Sequence, residues 1–246
     1  MPPGVLENTR IYAIGDIHGC HDLLKTLLDQ IAAHDLTRPR IETKILVFLG
    51  DYVDRGENSK AVIDILLDAC PRGYDRVFLK GNHEEMLLNA RNDQAAADFW
   101  LRNGGRQTLA SYGIPGADNH DEYSQQQLIE EFNQRLPQEH LAFLRDLQLS
   151  FECGDYFFAH AGIHPDNPLD QQVERHLLWI RDRFLFSEED FGKVIIHGHT
   201  PARDVDRAEN RIGIDTAAVY GGKLTALMLE GHEQIFLYAK APPKKK

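Results

Sequence analysis

Five short stretches of the chain carry the residue types that bind cations and move protons. Asp16 and His18 lie in GDIHG (Gly15 to Gly19), Asp51, Asp54 and Arg55 in GDYVDRG (Gly50 to Gly56), and Asn82 and His83 in GNHE (Gly81 to Glu84). His160 opens HAG, and His199 stands in HGHT (His197 to Thr200). Side chains alternate along an extended backbone, so Asp16 and His18 can point to one side and share an ion. Asp51 and Asn82 add oxygen donors, and His160 and His199 add imidazoles. A mixed oxygen and imidazole set suits manganese, iron or zinc rather than a thiolate-bound metal. There are enough donors for two ions, provided that one carboxylate bridges them.

Two divalent ions about 3.5–4 Å apart can activate a water and clamp the oxygens of an in-line displacement at phosphorus. They would also create a locally positive pocket in a chain with 38 acidic and 27 basic residues and a net charge of -11. Arg55, beside Asp54, adds a fork-shaped donor for a phosphate oxygen. These parts point to phosphate ester hydrolysis. The acidic balance is opposite to the footprint of a chain that holds nucleic acid electrostatically, so no nucleic-acid partner is expected.

Each motif follows a short apolar run: Ile11 to Ile14, Lys44 to Leu49, Arg76 to Leu79, Tyr156 to Ala159, and Val194 to Ile196. Such runs read as buried strands that deliver polar residues at their carboxyl ends. Leu23, Leu24, Leu27, Leu28 and Ile31 form a helical stripe over about 21–33, and a second helix is expected over about 59–69. Strand, polar loop and helix is the βαβ grammar, whose ligand sites lie beyond the strand ends. From about 85 to 148 the pattern is helical, with patches over 95–101, 124–133 and 137–147 and breaks at 103–105 and 113–119; it reads as an inserted cap. Strands return over about 149–152, 156–159, 194–196, 212–214, 224–229 and 234–237. The expected architecture is α/β: two packed sheets flanked by helices, with a helical insertion, in a single domain over 1–240 and a flexible basic tail over 241–246.

A chain of 246 residues that is 42% hydrophobic can bury one sizeable core. No apolar run approaches the roughly 20 residues that span a bilayer, and the first residues lack the basic start and apolar centre of a signal peptide. A cytoplasmic protein without a membrane partner is expected. The three cysteines, Cys20, Cys70 and Cys153, are odd in number and widely spaced, which suits a reducing compartment. Cys20 reads as an inert thiol rather than a redox group. Of the histidines outside the motifs, His21, His34, His120, His140, His176 and His232 read as solvent-facing, and His164 and His197 as structural neighbours of the site.

The ordered series GDIHG, GDYVDRG, GNHE, HAG and GHT, running from residue 15 to 200, resembles the phosphoprotein phosphatase branch of the calcineurin-like metallophosphoesterases, especially its bacterial and phage-type members. The resemblance implies an αββα sandwich and two divalent metals, manganese foremost, with iron and zinc as alternatives. It assigns Asp16, His18 and Asp51 to one ion, with Asp51 bridging to a second ion held also by Asn82, His160 and His199. His83 resembles the general acid that protonates the leaving group, and Asp54 the carboxylate that orients its ring. Arg55 and Arg181 resemble phosphate-gripping arginines, and Tyr220 in VYGG a pocket tyrosine.

Many phosphodiesterases of this superfamily end in GHxH, whereas this chain has Pro201 where the second histidine would fall. That favours the phosphatase branch. The stretch from Ile214 to Leu229 resembles the end of bacterial members and departs from the tyrosine-bearing loop of eukaryotic enzymes. The implied activity is a serine/threonine protein phosphatase, with phosphotyrosine and small phosphate esters also within its chemistry. Two alternatives are a symmetrical bis(5'-nucleosyl)-tetraphosphatase, which shares the five motifs, and a non-catalytic metal-binding module. Nothing in the sequence sets the oligomeric state.

Overall fold

The computed structural model describes residues 2–117 and 123–241. The first sheet has the order β10-β9-β1-β2-β3 and the second β4-β5-β6-β8-β7. In the first, β1 (Thr9–Ile14), β2 (Thr43–Phe48) and β3 (Asp75–Phe78) are parallel, β9 (Lys223–Glu230) runs antiparallel beside β1, and β10 (Glu233–Lys240) runs antiparallel beside β9 at the edge. In the second, β5 (Tyr156–Ala159), β6 (Val194–His197) and β8 (Arg211–Gly213) are parallel, edged by β4 (Ser150–Cys153) and the short β7 (Asp206–Arg207). The two-residue β7 carries no readable periodicity and escaped the sequence reading.

Alternation along the central strands builds the layers. Ile11 and Ala13 of β1 face Tyr156 and Phe158 of β5 in the core between the sheets, while Tyr12 and Ile14 face the opposite way into a helical layer. That layer includes α1 (His21–Leu36) and α2 (Ser59–Asp64), which continues through a π-helical turn over Ile65–Ala69. On the far face of the second sheet, Phe157 and Ala159 pack against Leu177 of α8 (Glu174–Trp179) and Phe184 of α9 (Asp182–Leu185). Both faces of each sheet are therefore covered. This is why the central strands read as continuous apolar runs rather than as alternating ones.

The stretch between the two sheets is helical, as expected, but it starts earlier. Helix α3 (Asn82–Ala90) begins on the GNHE motif itself, and α4 (Gln94–Trp100), α5 (Arg106–Ser111), α6 (Gln125–Arg135) and α7 (Gln138–Arg145) follow. The expected break over 113–119 lies in part outside the described residues, as do His120 and the tail residues 242–246.

Among the described residues no helix is long and apolar enough to cross a membrane, and all three cysteines are free. Burial pushes the Cys20 thiol up to about 11, consistent with an inert group. His140 corrects the reading of solvent-facing histidines. It is 1% exposed, with Nδ1 2.9 Å from the Tyr112 hydroxyl and Nε2 3.0 Å from Asp64. Its neighbours on α7, Leu141, Phe143 and Leu144, are buried as well, and the stripe they form carries the histidine inward.

Candidate active site

The parallel strands of both sheets direct their carboxyl ends to one rim, and the motif residues meet there. Asp16, His18, Asp51, Asp54, Asn82, His83, His160 and His199 are all buried. Two groups converge closely enough to hold a cation: His18, Asp51 and His83, and Asp51, His160 and His199. Asp51 belongs to both. Its Oδ2 lies 3.3 Å from His18 Nε2 and its Oδ1 3.4 Å from His160 Nε2. Asn82 Oδ1 completes the second group, 2.9 Å from both His160 Nε2 and His199 Nδ1. Asp16, expected with His18, belongs to neither group; its carboxylate accepts the backbone N–H of His199 at 2.9 Å.

Backbone carbonyls orient the imidazoles. His18 Nδ1 donates to the Val53 carbonyl at 2.8 Å, and His160 Nδ1 donates to that of Leu49 at 2.9 Å. Each bond fixes the tautomer and leaves the Nε2 lone pair facing the cluster, the state a ligand needs. Burial favours the same neutral form: it lowers His18 to about 3 and also lowers His160 and His199. The carboxyls divide. Burial, reinforced by Asp215 and Asp51, raises Asp16 well above the usual range, and burial pushes Asp215 up to about 6; burial opposes ionisation of Asp51 too, but the surrounding imidazoles, His160 foremost, outweigh it and hold that carboxyl far below the usual range. The neutral imidazoles of His18, His160 and His199 beside crowded buried carboxylates, with the buried Nε2 of His199 lacking a partner, form a donor set suited to dications.

His83 differs from the other imidazoles. Its Nδ1 donates to Asp54 Oδ2 at 2.7 Å, and its Nε2 stands 4.0 Å from Asp51 Oδ2. Burial opposes its charged form, but Asp51 and Asp54 outweigh that and raise its pKa. It is the one imidazole of the cluster poised to carry a proton.

Arg55 reaches over the site with Nη1 2.8 Å from His18 Nε2, and its guanidinium lies 5.9 Å from the Tyr220 ring. Arg181 and Tyr220 stand on the exposed rim; the arginine donates to Thr200 Oγ1 at 3.3 Å, and the tyrosine is 63% exposed.

The local backbone is unusual. His18, Asp51, Asp54, Arg55 and His199 all have φ between +44° and +72°, a region that costs non-glycine residues energy and persists only where neighbours enforce it. Glu84 supplies much of that enforcement. Fully buried, its carboxylate accepts the N–H groups of Asp51 (2.9 Å), Tyr52 (2.8 Å), Val53 (3.2 Å) and Gly81 (2.9 Å), which joins the GDYVDRG loop to the GNHE loop. Sequence reading quoted Glu84 only as a motif letter and passed over Asp215 in IDTAAVYGG. Trp100 and Thr108 stand outside all five motifs. A carboxylate after a predicted ligand is the one signal that could have marked Glu84.

The family model described as calcineurin-like phosphoesterase matches residues 9–235. Serine/threonine-protein phosphatase 2 of Salmonella typhimurium is 30% identical over 224 residues, covering 87% of this chain and 90% of that one. A bis(5'-nucleosyl)-tetraphosphatase PrpE of the asymmetrical kind from Bacillus thuringiensis is 27% identical over 249 residues, covering 93% and 94%. The crystal structure of a cold-active protein-tyrosine phosphatase from a psychrophilic Shewanella superposes with a TM-score of 0.65 at 20% identity, over 95% of this chain and 80% of that chain.

Proposed function

The chain belongs to the calcineurin-like phosphoesterase family, and from that premise we propose that it is a metal-dependent phosphomonoesterase acting on phosphorylated proteins. Phosphoserine and phosphothreonine are the primary substrates, with phosphotyrosine and small esters open to the same site. The observation that carries this reading is the placement of Asp51, whose two carboxylate oxygens face imidazoles of different groups at 3.3 and 3.4 Å. That is how one carboxylate serves two ions. In the dinuclear centre characteristic of the family, His18, Asp16 and Asp51 would hold one ion and Asp51, Asn82, His160 and His199 the other, with manganese favoured by the oxygen and imidazole donors and iron or zinc also suited. When bound, such a pair supplies an activated water and charge neutralisation at phosphorus.

The chain's own residues do the rest. Arg55, with Arg181 at the rim, grips non-bridging phosphate oxygens. His83, held by Asp54 through Nδ1, turns Nε2 toward the leaving group and gives it a proton as the ester bond breaks. Tyr220 flanks the phosphate beside Arg55. The three unpaired thiols suit work in a reducing cytoplasm.

The tetraphosphatase relatives favour a second reading, in which a dinucleoside polyphosphate is the substrate. Assays of metal-stripped protein with and without added manganese separate the two, reading released phosphate from the peptides and chromatographically resolved nucleotides from the dinucleotide. The panel is phosphoserine, phosphothreonine and phosphotyrosine peptides plus diadenosine tetraphosphate. Manganese-dependent release from the peptides is the expected result. Cleavage of the dinucleotide alone would transfer the protein to the second reading, and its products would tell symmetrical from asymmetrical cutting. No turnover of any substrate with metal bound would leave a non-catalytic module.

A further inference from the structure

Asp54, the carboxylate that orients His83, is held chiefly from the helical insertion. Its side chain is 0% exposed and takes three kinds of donor: His83 Nδ1 at 2.7 Å, Thr108 Oγ1 at 2.6 Å, and Trp100 Nε1 at 2.9 and 3.0 Å from the two oxygens. The Asp54 backbone N–H returns a bond to Thr108 Oγ1 at 2.9 Å. Between these two residues, the Gly104 carbonyl accepts the N–H of Arg55 at 3.1 Å. Residues 100 and 108 stand on α4 and α5, on either side of a kink at Asn103 and Gly104, and the kink brings both side chains and the Gly104 carbonyl to Asp54 and Arg55.

The same segment explains its glycines. Gly104 has φ +106, and a Cβ there would come within 2.7 Å of the Arg55 backbone nitrogen; a Cβ on Gly105 would come within 2.6 Å of the Trp100 ring. The break at Asn103 and Gly104 therefore brings the insertion's backbone onto Arg55, whose own φ of +66 needs external support.

We propose that Trp100, Gly104 and Thr108 form a clamp by which the insertion aims the acid and the phosphate-gripping arginine, with Trp100 and Thr108 acting as positioning residues for proton donation by His83. The inference rests on His83 being the acid of the proposed reaction. Asp54 has two oxygens, and three donors fill them in fixed directions, so the His83 ring has one orientation. With either insertion donor removed, the carboxylate turns, and Nε2 no longer lies on the line to the departing oxygen. A loss of that kind scales with the leaving group's need for a proton.

The test is a series of phosphate monoesters from p-nitrophenyl to phenyl to alkyl phosphate, run with manganese-loaded wild type, His83→Asn, Trp100→Phe, Thr108→Val and Thr108→Ser. Metal content is measured on every variant. His83→Asn reads the acid assignment itself: its loss should grow along the series. Trp100→Phe and Thr108→Val should repeat that slope in weaker form, with kcat falling about 10- to 100-fold on the alkyl ester and less than about threefold on p-nitrophenyl phosphate at unchanged metal content. Thr108→Ser, which keeps the hydroxyl, should recover most of the alkyl activity. Equal losses across the series, or none, in Trp100→Phe and Thr108→Val beside a sloped His83→Asn would overturn the clamp alone. A flat His83→Asn series would overturn the acid assignment and the clamp's role with it.

Discussion

Asp51 and Glu84 show how much one carboxylate can organise when both of its oxygens are used. Asp51 faces His18 through one oxygen and His160 through the other. Asp51→Asn should therefore weaken both ion sites together, and elemental analysis after manganese loading should find well under one tightly held ion per chain; two retained ions would end the bridging assignment. Glu84 joins two loops through four amides. In Glu84→Gln the amide NH2 turns against two of those N–H groups, and each stranded donor costs about 1–3 kcal/mol. A urea-denaturation loss of at least that size at pH 7 is expected, and a change below about 0.5 kcal/mol would contradict the role given to Glu84. The motif residues of the site were legible in the sequence because they sit in short runs at strand ends. Trp100 and Thr108 were not, because their partner Asp54 is distant in the chain, and Asp215 was not, because it stands outside the five motifs and only the fold brings it near Asp16.

At the scale of elements, each site loop is set by what precedes and follows it. Asn58 caps α2 by accepting the N–H of Ala61 at 3.0 Å, which starts that helix just beyond the GDYVDRG loop. Asn58→Ala should lower stability by about 1 kcal/mol in thermal or urea unfolding, and an unchanged midpoint would argue against the cap. Gly104→Ala places a methyl 2.7 Å from the Arg55 Cγ and backbone nitrogen, in a conformation that side chains avoid. Displacement of Arg55 should raise KM for every ester alike, without the leaving-group slope of the Trp100 and Thr108 variants. The strands and helices α1 and α2 could be read from periodicity because each buries a clear face or run. The start of α3 could not: Asn82 and His83 are polar, and a search for apolar spacing begins the helix only after them.

Across the whole molecule, the rim that carries the site is balanced by an ion network on β1, near the start of the first sheet. Arg10, 1% exposed, donates to Asp35 and to Glu230, each at 2.6 Å, and Lys44 adds a second bond to Asp35 at 2.9 Å. Hydrogen bonding from Arg10 lowers the Glu230 pKa; burial opposes ionisation of Asp35, but Lys44 and Arg10 outweigh it and lower that pKa as well. A depressed carboxyl pKa stabilises the fold above the unfolded value, near pH 4, and that contribution is lost as pH falls through the folded value. Arg10→Met should cost about 1.5–3 kcal/mol at pH 7 by removing a buried cation's hydrogen bonds to two half-buried carboxylates that keep Lys44 and Arg38, with a smaller deficit at pH 3. Urea titrations at the two pH values check this, and an equal deficit at both would contradict the network's role. The acidic balance of the chain is compatible with an anionic substrate only if the site concentrates positive charge locally, and the account assigns that task to a dinuclear centre. The most direct test of the central claim is calorimetric titration of metal-stripped protein with manganese, followed by phosphate release from a phosphoserine peptide at each point. Two ions should bind per chain, with turnover rising as the second site fills. Full turnover with one ion, or turnover indifferent to metal, would contradict it.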